Sequence, residues 1–127
     1  MARPKSDSPT PGELEVLKIL WEHGPSTVRQ VMERLSRERP RHYTSFMSLL
    51  NVMTDKGLVT REPQGRAFVY EAAVSQEKTS GKMLEDLLQR AFEGSASALV
   101  ARLLDRSSPS EEELKQIHEL IERYNQQ

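Results

Sequence analysis

With 127 residues and a formal net charge of −1, the chain is long enough for one modest domain, or a small domain with an appendage, and as a whole is no polycation. The absence of cysteine excludes disulfides, thiol catalysis and thiolate metal sites. No apolar run approaches the length of a membrane span, and MARPKSDSPT lacks the apolar core of a signal peptide, so the expectation is a cytoplasmic protein without a membrane partner.

Residues 1–9 are rich in Pro, Ser and charge and are expected to form a mobile arm. Thr10-Pro11-Gly12-Glu13 marks a helix start. Thr10 caps, Pro11 suits the first helical position, and Glu13 completes a capping box. Leu14, Leu17, Leu20 and Trp21 then make one apolar face, with Val16 at its edge, and Gly24-Pro25 ends the helix. A second helix begins at Ser26 or Thr27 and carries Val28, Val31, Met32 and Leu35 on its stripe. It ends around Ser36. The connector over 37–42 holds three arginines, His42 and Pro40, and the proline forbids a continuous helix.

Residues 43–57, YTSFMSLLNVMTDKG, read as a third helix, with Thr44 as N-cap and Gly57 at its C′ position. Phe46, Leu49, Leu50 and Met53 form the apolar stripe. Thr44, Ser45, Ser48, Asn51 and Asp55 fall opposite. Short hydroxyls and a carboxamide can lie close to base edges in a DNA major groove and still donate or accept hydrogen bonds. The same face also fits an ordinary core helix poor in charge. Met47 and Val52 lie at the border, positioned for a thymine methyl or for the core.

The period then changes. Residues 58–62 and 66–71 read as short strands joined by a turn at Pro63-Gln64-Gly65. Three helices followed by a hairpin is the winged helix-turn-helix arrangement, and it favours the DNA reading. The helix over 44–56 would present Thr44, Ser45, Met47, Ser48, Asn51 and Val52 to bases. The wing over 58–71 would bring Arg61, Gln64 and Arg66 to phosphates. Arg41, His42 and Tyr43, where the chain enters the helix, are expected at phosphates too, although a connector so charged is equally a solvated loop. Phe68 and Tyr70, two apart on one strand face, are expected to pack on the helices. Charge follows the same division. Residues 1–70 hold eleven Lys and Arg against eight Asp and Glu, and residues 71–127 hold seven against eleven.

Ser75 opens a different region. A long helix carries Met83, Leu84, Leu87, Leu88, Ala91 and Phe92 and is broken at Gly94-Ser95. A short helix follows, with Leu99, Val100, Leu103 and Leu104 on one side. Ser107-Ser108-Pro109 breaks the chain again, and Ser110 with Glu113 offers a second capping box. The last helix places Leu114, Ile117, Ile121 and Tyr124 on a short seam. About 50 residues of such helices are marginal alone by surface-to-volume scaling. They either fold back on the first domain or pair with a second copy, which would also match a two-fold symmetric DNA site. Leu84, Leu87, Leu88, Phe92, Leu99, Leu103, Leu114, Ile117 and Ile121 are the expected homodimer contacts. The fold expected is mainly α with a small β-hairpin wing. Its winged helix-turn-helix domain spans residues 10–74, and its helical dimerisation region spans 75–127.

The segments ELEVLKILWEHGPSTVRQVMERL, YTSFMSLLNVMTDKGLV and TREPQGRAFVYEA, in this order and spacing, resemble the penicillinase/methicillin-resistance/copper repressor family of the BlaI/MecI/CopY type. Weaker similarity continues through FEGSASALVARLL and SEEELKQIHELIE. The resemblance implies a dimeric winged-helix repressor that binds an inverted-repeat operator and blocks transcription. Many such relatives guard genes for β-lactam resistance or metal homeostasis. Relatives of the β-lactam type are cut by a sensor peptidase at an Asn-Phe bond. The approximate counterpart here is Arg102-Leu103, a departure from the bond that such a sensor-peptidase partner cuts. Copper-responsive relatives carry a C-terminal cysteine motif, and this chain has none.

No enzyme is read from the sequence. His23, His42 and His118 have no metal-site spacing, so no metal is expected. Hydrolase, phosphate-loop and dinucleotide fingerprints are missing, and no cofactor is expected. Glu111-Glu112-Glu113 suits a helix N-terminus on dipole grounds alone. Two other uses stay open: a winged helix for protein contact only, and a small-molecule site among the C-terminal helices.

Overall fold

The computed structural model describes residues 8–35 and 42–127. The arm over 1–7 and the connector over 36–41, with Arg41, lie outside the described residues. Helix α1 (Pro11–His23) starts at the expected capping box: Thr10 Oγ1 accepts from the Glu13 N–H, and Glu13 Oε1 accepts from the Thr10 N–H. Gly24, at φ +80°, ends it by donating to the Leu20 carbonyl. Strand β1 (Ser26–Thr27) follows, then α2 (Val28–Leu35). Thr27 and Gln30 exchange the two bonds of another capping box, so Thr27 starts α2 while also serving the strand. Helix α3 (Tyr43–Asp55) leads to β2 (Val59–Gln64) and β3 (Ala67–Ala72).

The three strands form one antiparallel sheet in the order β1-β3-β2. Ser26 pairs Tyr70 and Thr27 pairs Val69, which closes the sheet onto the chain between α1 and α2. The hairpin loop is Gly65-Arg66, not the expected Pro63-Gln64-Gly65. Gln64 pairs Ala67, and Gly65 holds φ +62° at the first loop position, the backbone that keeps tight hairpins in twist with their strands. Pro63 remains inside β2 because β2 is an edge strand, where no ladder N–H is needed on the outer side.

The core is built by α1, α2, α3, β2 and β3 together. Val16, Leu17 and Leu20 of α1, Val28 and Val31 of α2, and Phe46, Leu50 and Met53 of α3 meet Val59 and Tyr70 from the hairpin. Val16 is thus at the centre of its helix face, and Leu14 and Trp21 are half-buried. Trp21 Nε1 donates to the Val74 carbonyl at 2.9 Å, fastening the exit of β3 to the end of α1. Glu13 also lies on this buried stripe. Its carboxylate is met by Lys56 Nζ at 2.8 and 3.1 Å, which ties the start of α1 to the end of α3. Burial pushes the Glu13 carboxyl up, but the Lys56 ammonium and the Thr10 bonds outweigh it and hold the group below its ordinary value.

Helix α4 (Gln76–Phe92) starts at Ser75, whose Oγ accepts from the Lys78 N–H. The first compact unit runs through Glu85 and so takes in the opening turns of α4, where Thr79 is buried; the expected boundary after residue 74 falls at the head of this helix. The second unit, Asp86–Gln127, holds the rest of α4, α5 (Ala96–Ser107) and α6 (Glu111–Asn125). Ser95 and Ser110 cap α5 and α6, accepting from the N–H groups of Ala98 and Glu113, the latter being the forward bond of the box expected there. No residue of α5 or α6 is buried.

Candidate nucleic-acid interface

Helix α3 is held on three sides. Its apolar stripe enters the core through Phe46, Leu50 and Met53, with Leu49 and Met47 packed at the margin. Its C-terminus closes as a Schellman motif. The Leu58 N–H reaches the Met53 carbonyl and the Gly57 N–H reaches the Thr54 carbonyl, with Gly57 at φ +80°. The Glu13–Lys56 pair fixes the same end from below.

The N-terminus differs from the expectation. His42 occupies the cap position, with extended backbone and no side-chain cap bond, and Thr44 already lies inside the helix. A cap residue must stand in extended backbone ahead of the first turn, so Thr44 cannot serve. Its hydroxyl is instead carried on the exposed face.

That face holds most of the residues expected at bases. Thr44, Ser45, Ser48, Asn51 and Val52 are exposed, and Val52, at 46%, is not part of the core. Met47 is half-buried and packs against the core cluster. Among the described residues, no hydrogen bond occupies the side chains of Thr44, Ser45 or Ser48. His42 and Tyr43 are exposed at the entry of the helix, and Arg61, Gln64 and Arg66 are exposed on the hairpin. The structure thus brings the exposed side of α3 and the wing into one unit.

The hairpin changes character along its length. Val59, Arg61 and Pro63 share one face with Ala72, Tyr70 and Phe68. Near the root this face is core, and Val59 and Tyr70 are both buried. Further out it overhangs α3. Phe68 is 41% exposed, which corrects the expectation that it packs on the helices beside Tyr70: the core ends at Tyr70, one pleat earlier. The Arg61 guanidinium lies over the Phe68 ring, 4.5 Å from its centre, and Arg61 Nη1 donates to Asn51 Oδ1 at 3.3 Å.

Two contacts in this site escaped sequence reasoning. The Glu13–Lys56 pair spans 43 positions, and its one signal was a carboxylate on the same stripe as Leu17 and Leu20. The Arg61–Asn51 bond depends on hairpin register, which the misplaced turn concealed. Among the described residues no group of His, Asp and Glu could hold a metal ion, and no helix is long and apolar enough to cross a membrane.

The sequence model of the penicillinase repressor family matches residues 9–123. The chain belongs to the penicillinase repressor family. The penicillinase repressor of Bacillus licheniformis is 24% identical over 112 residues, covering 88% of each chain. The transcriptional regulator BlaI of Mycobacterium tuberculosis is 34% identical over 104 residues, covering 79% of this chain and 75% of its own. The solution structure of the DNA-binding domain of the repressor BlaI superposes with a TM-score of 0.51 at 26% identity, over 58% of this chain and 90% of that domain. The crystal structure of YusO from Bacillus subtilis shares the fold with a TM-score of 0.51 at 24% identity, over 92% of this chain and 74% of its own. As a penicillinase repressor family member, the chain is a winged-helix transcriptional repressor and not an enzyme. Among the described residues, six helices and the β2–β3 hairpin are the mainly α, winged fold expected from the sequence, and strand β1 is an addition to it.

Proposed function

We propose that this repressor acts as a homodimer on an inverted-repeat operator in the cytoplasm, and that it blocks transcription by occupying promoter DNA. The observation that carries the reading is the outer face of α3. A helix locked at three places in the fold turns Thr44, Ser45, Ser48 and Asn51 outward beside the wing, and short polar groups of this kind match base edges. Val52 adds an apolar contact for a thymine methyl, and Met47 borders it from the core side. His42 and Tyr43 at the helix entry, and Gln64 and Arg66 at the hairpin tip, meet phosphates and set the register; Arg41 joins them in this reading from outside the described residues.

The second half of the reading is dimerisation. Leu84, Leu87, Leu103, Leu114 and Ile121 are exposed, and Leu88, Phe92, Leu99 and Ile117 are half-buried, which leaves an apolar surface for a second copy to cover. Two linked heads bind far more tightly than one, because the second contact becomes intramolecular. The repressed genes, in this reading, serve antibiotic resistance or a metal or stress response. An Asn-Phe-cutting sensor peptidase has no matching bond, since Arg102-Leu103 stands at its approximate counterpart, inside α5.

Fluorescence anisotropy with DNA from upstream of the chain's own gene tests the reading, run at several salt concentrations against a scrambled duplex. Selective binding by two chains per duplex, weakening steeply with salt, is the expected result. Equal weak binding to both duplexes, with a flat salt dependence, would instead assign the winged helix to a protein partner.

A further inference from the structure

The sequence pattern sends Arg61 to a phosphate. In the folded chain its guanidinium is engaged twice within the protein, on the Phe68 ring and at Asn51 Oδ1. We propose that Arg61 is a positioning residue for Asn51, and that the pair reads the two adjacent acceptors of a guanine in the major groove. The inference rests on the reading of α3 as the groove helix.

A guanidinium only donates, so the carboxamide atom facing it is the oxygen. With Oδ1 held by Arg61, the planar amide leaves Nδ2, on the same carbon, free to donate next to the guanidinium. A free asparagine reads adenine in two-point fashion, using Oδ1 as acceptor for N6–H and Nδ2 as donor to N7. Here the acceptor side is crowded by a cation that offers only donors. What remains on the surface is Nδ2 of Asn51 beside the unused N–H groups of Arg61. Guanine presents N7 and O6 side by side, both acceptors, and matches that pair; adenine places a donor where the second acceptor is needed.

Phe68 explains why the arginine stays in place. Arg61 and Phe68 are diagonal neighbours on one face of the β2–β3 hairpin, and the ring gives the planar guanidinium a flat seat. It also gives an exposed aromatic, left outside the core at a strand position next to buried Tyr70, a definite use. A lysine at position 61 would keep the charge but would lose both the planar stacking and the fork of donors.

The test is selection of duplexes from a randomised pool, followed by affinity measurements on the selected site and its single-base variants. The position read by Asn51 is the one whose preference N51A abolishes. The expected base there is guanine, preferred about tenfold or more by the wild type. R61A and R61K should each lose that preference, and R61A/N51A should be no worse than either single change. F68L should weaken it in part. Replacing the guanine by 7-deazaguanine should reduce wild-type binding and leave N51A unaffected. The inference is overturned if R61K keeps full selectivity, or if R61A weakens all duplexes equally and lowers the salt slope by about one, which is the behaviour of a phosphate contact. Adenine at the Asn51 position would overturn it as well. A wild type without any sequence preference would instead remove the reading of α3 on which the inference stands.

Discussion

The two compact units of this repressor family member solve the burial problem differently. In the first, among the described residues, ten hydrophobic side chains from three helices and two strands are almost wholly removed from water, and the buried carboxylate of Glu13 has its cation. In the second, no residue of α5 or α6 is buried, and Leu103 and Ile121 keep half of their surface exposed. Both units have well-capped helices, so the difference is not one of local propensity. Capping fixes where a helix begins, and only packing removes an apolar face from water. In the proposed reading, a second copy of the chain completes this unit, which has good caps and no buried residue in α5 or α6.

The strongest way to break this contrast is at Leu103. Leu103→Asp removes nothing from a buried site in the single chain, but it would place a charge in the proposed dimer surface. Sedimentation should show a monomer with unchanged helical content, and operator affinity should fall about 10²- to 10⁴-fold as the linkage of two heads is lost. A dimer that persists with full affinity would move the interface elsewhere.

The first unit should answer to the opposite kind of change. Leu50 is fully buried on the inner side of α3. Leu50→Ala should cost about 2–5 kcal/mol in urea unfolding, through lost transfer energy and the cavity left behind. A cost below about 1 kcal/mol would mean that α3 is not seated as described.

Glu13 gives a smaller effect with a pH signature. Its folded pKa lies below the ordinary 4.5, so the pairing with Lys56 stabilises fully above that pH and is lost as the pH falls below it. Unfolding midpoints should therefore decline below about pH 4.5. Glu13→Gln should lower stability at pH 7 by about 1–3 kcal/mol and flatten the acid decline. An acid decline identical in wild type and variant would remove the pair from the account.

The smallest effect belongs to the hairpin tip. Arg66→Ala should leave base preference unchanged and reduce the slope of log affinity against log salt by about one, as measured by anisotropy. A change in preferred sequence would make Arg66 a reader of bases.

The same contrast sets what was legible beforehand. Features carried by short-range chemistry stood plainly in the sequence: the Thr10–Glu13 box, the Gly57 stop, the stripe of Phe46, Leu50 and Met53, and the Ser110 cap of the last helix. Features that depend on register or distance did not. Strand β1 is two residues long and overlaps a helix cap, so no alternation reveals it. Pro63 reads as a turn residue until β2 is known to be an edge strand. Phe68 reads as core until the sheet is seen to run past its own core. Thr44 was expected to cap and is displaced by His42. For the site, residue type and spacing marked the outward face of α3, whereas the engagement of Arg61 with Asn51 needed the hairpin folded beside the helix.

Sedimentation equilibrium of the intact chain, free of DNA and at micromolar concentration, tests the central contrast most directly. The account expects twice the chain's 14.5 kDa, with dissociation only on dilution. A stable species of 14.5 kDa with intact helical signal would show that the C-terminal helices need no second copy, and would contradict it.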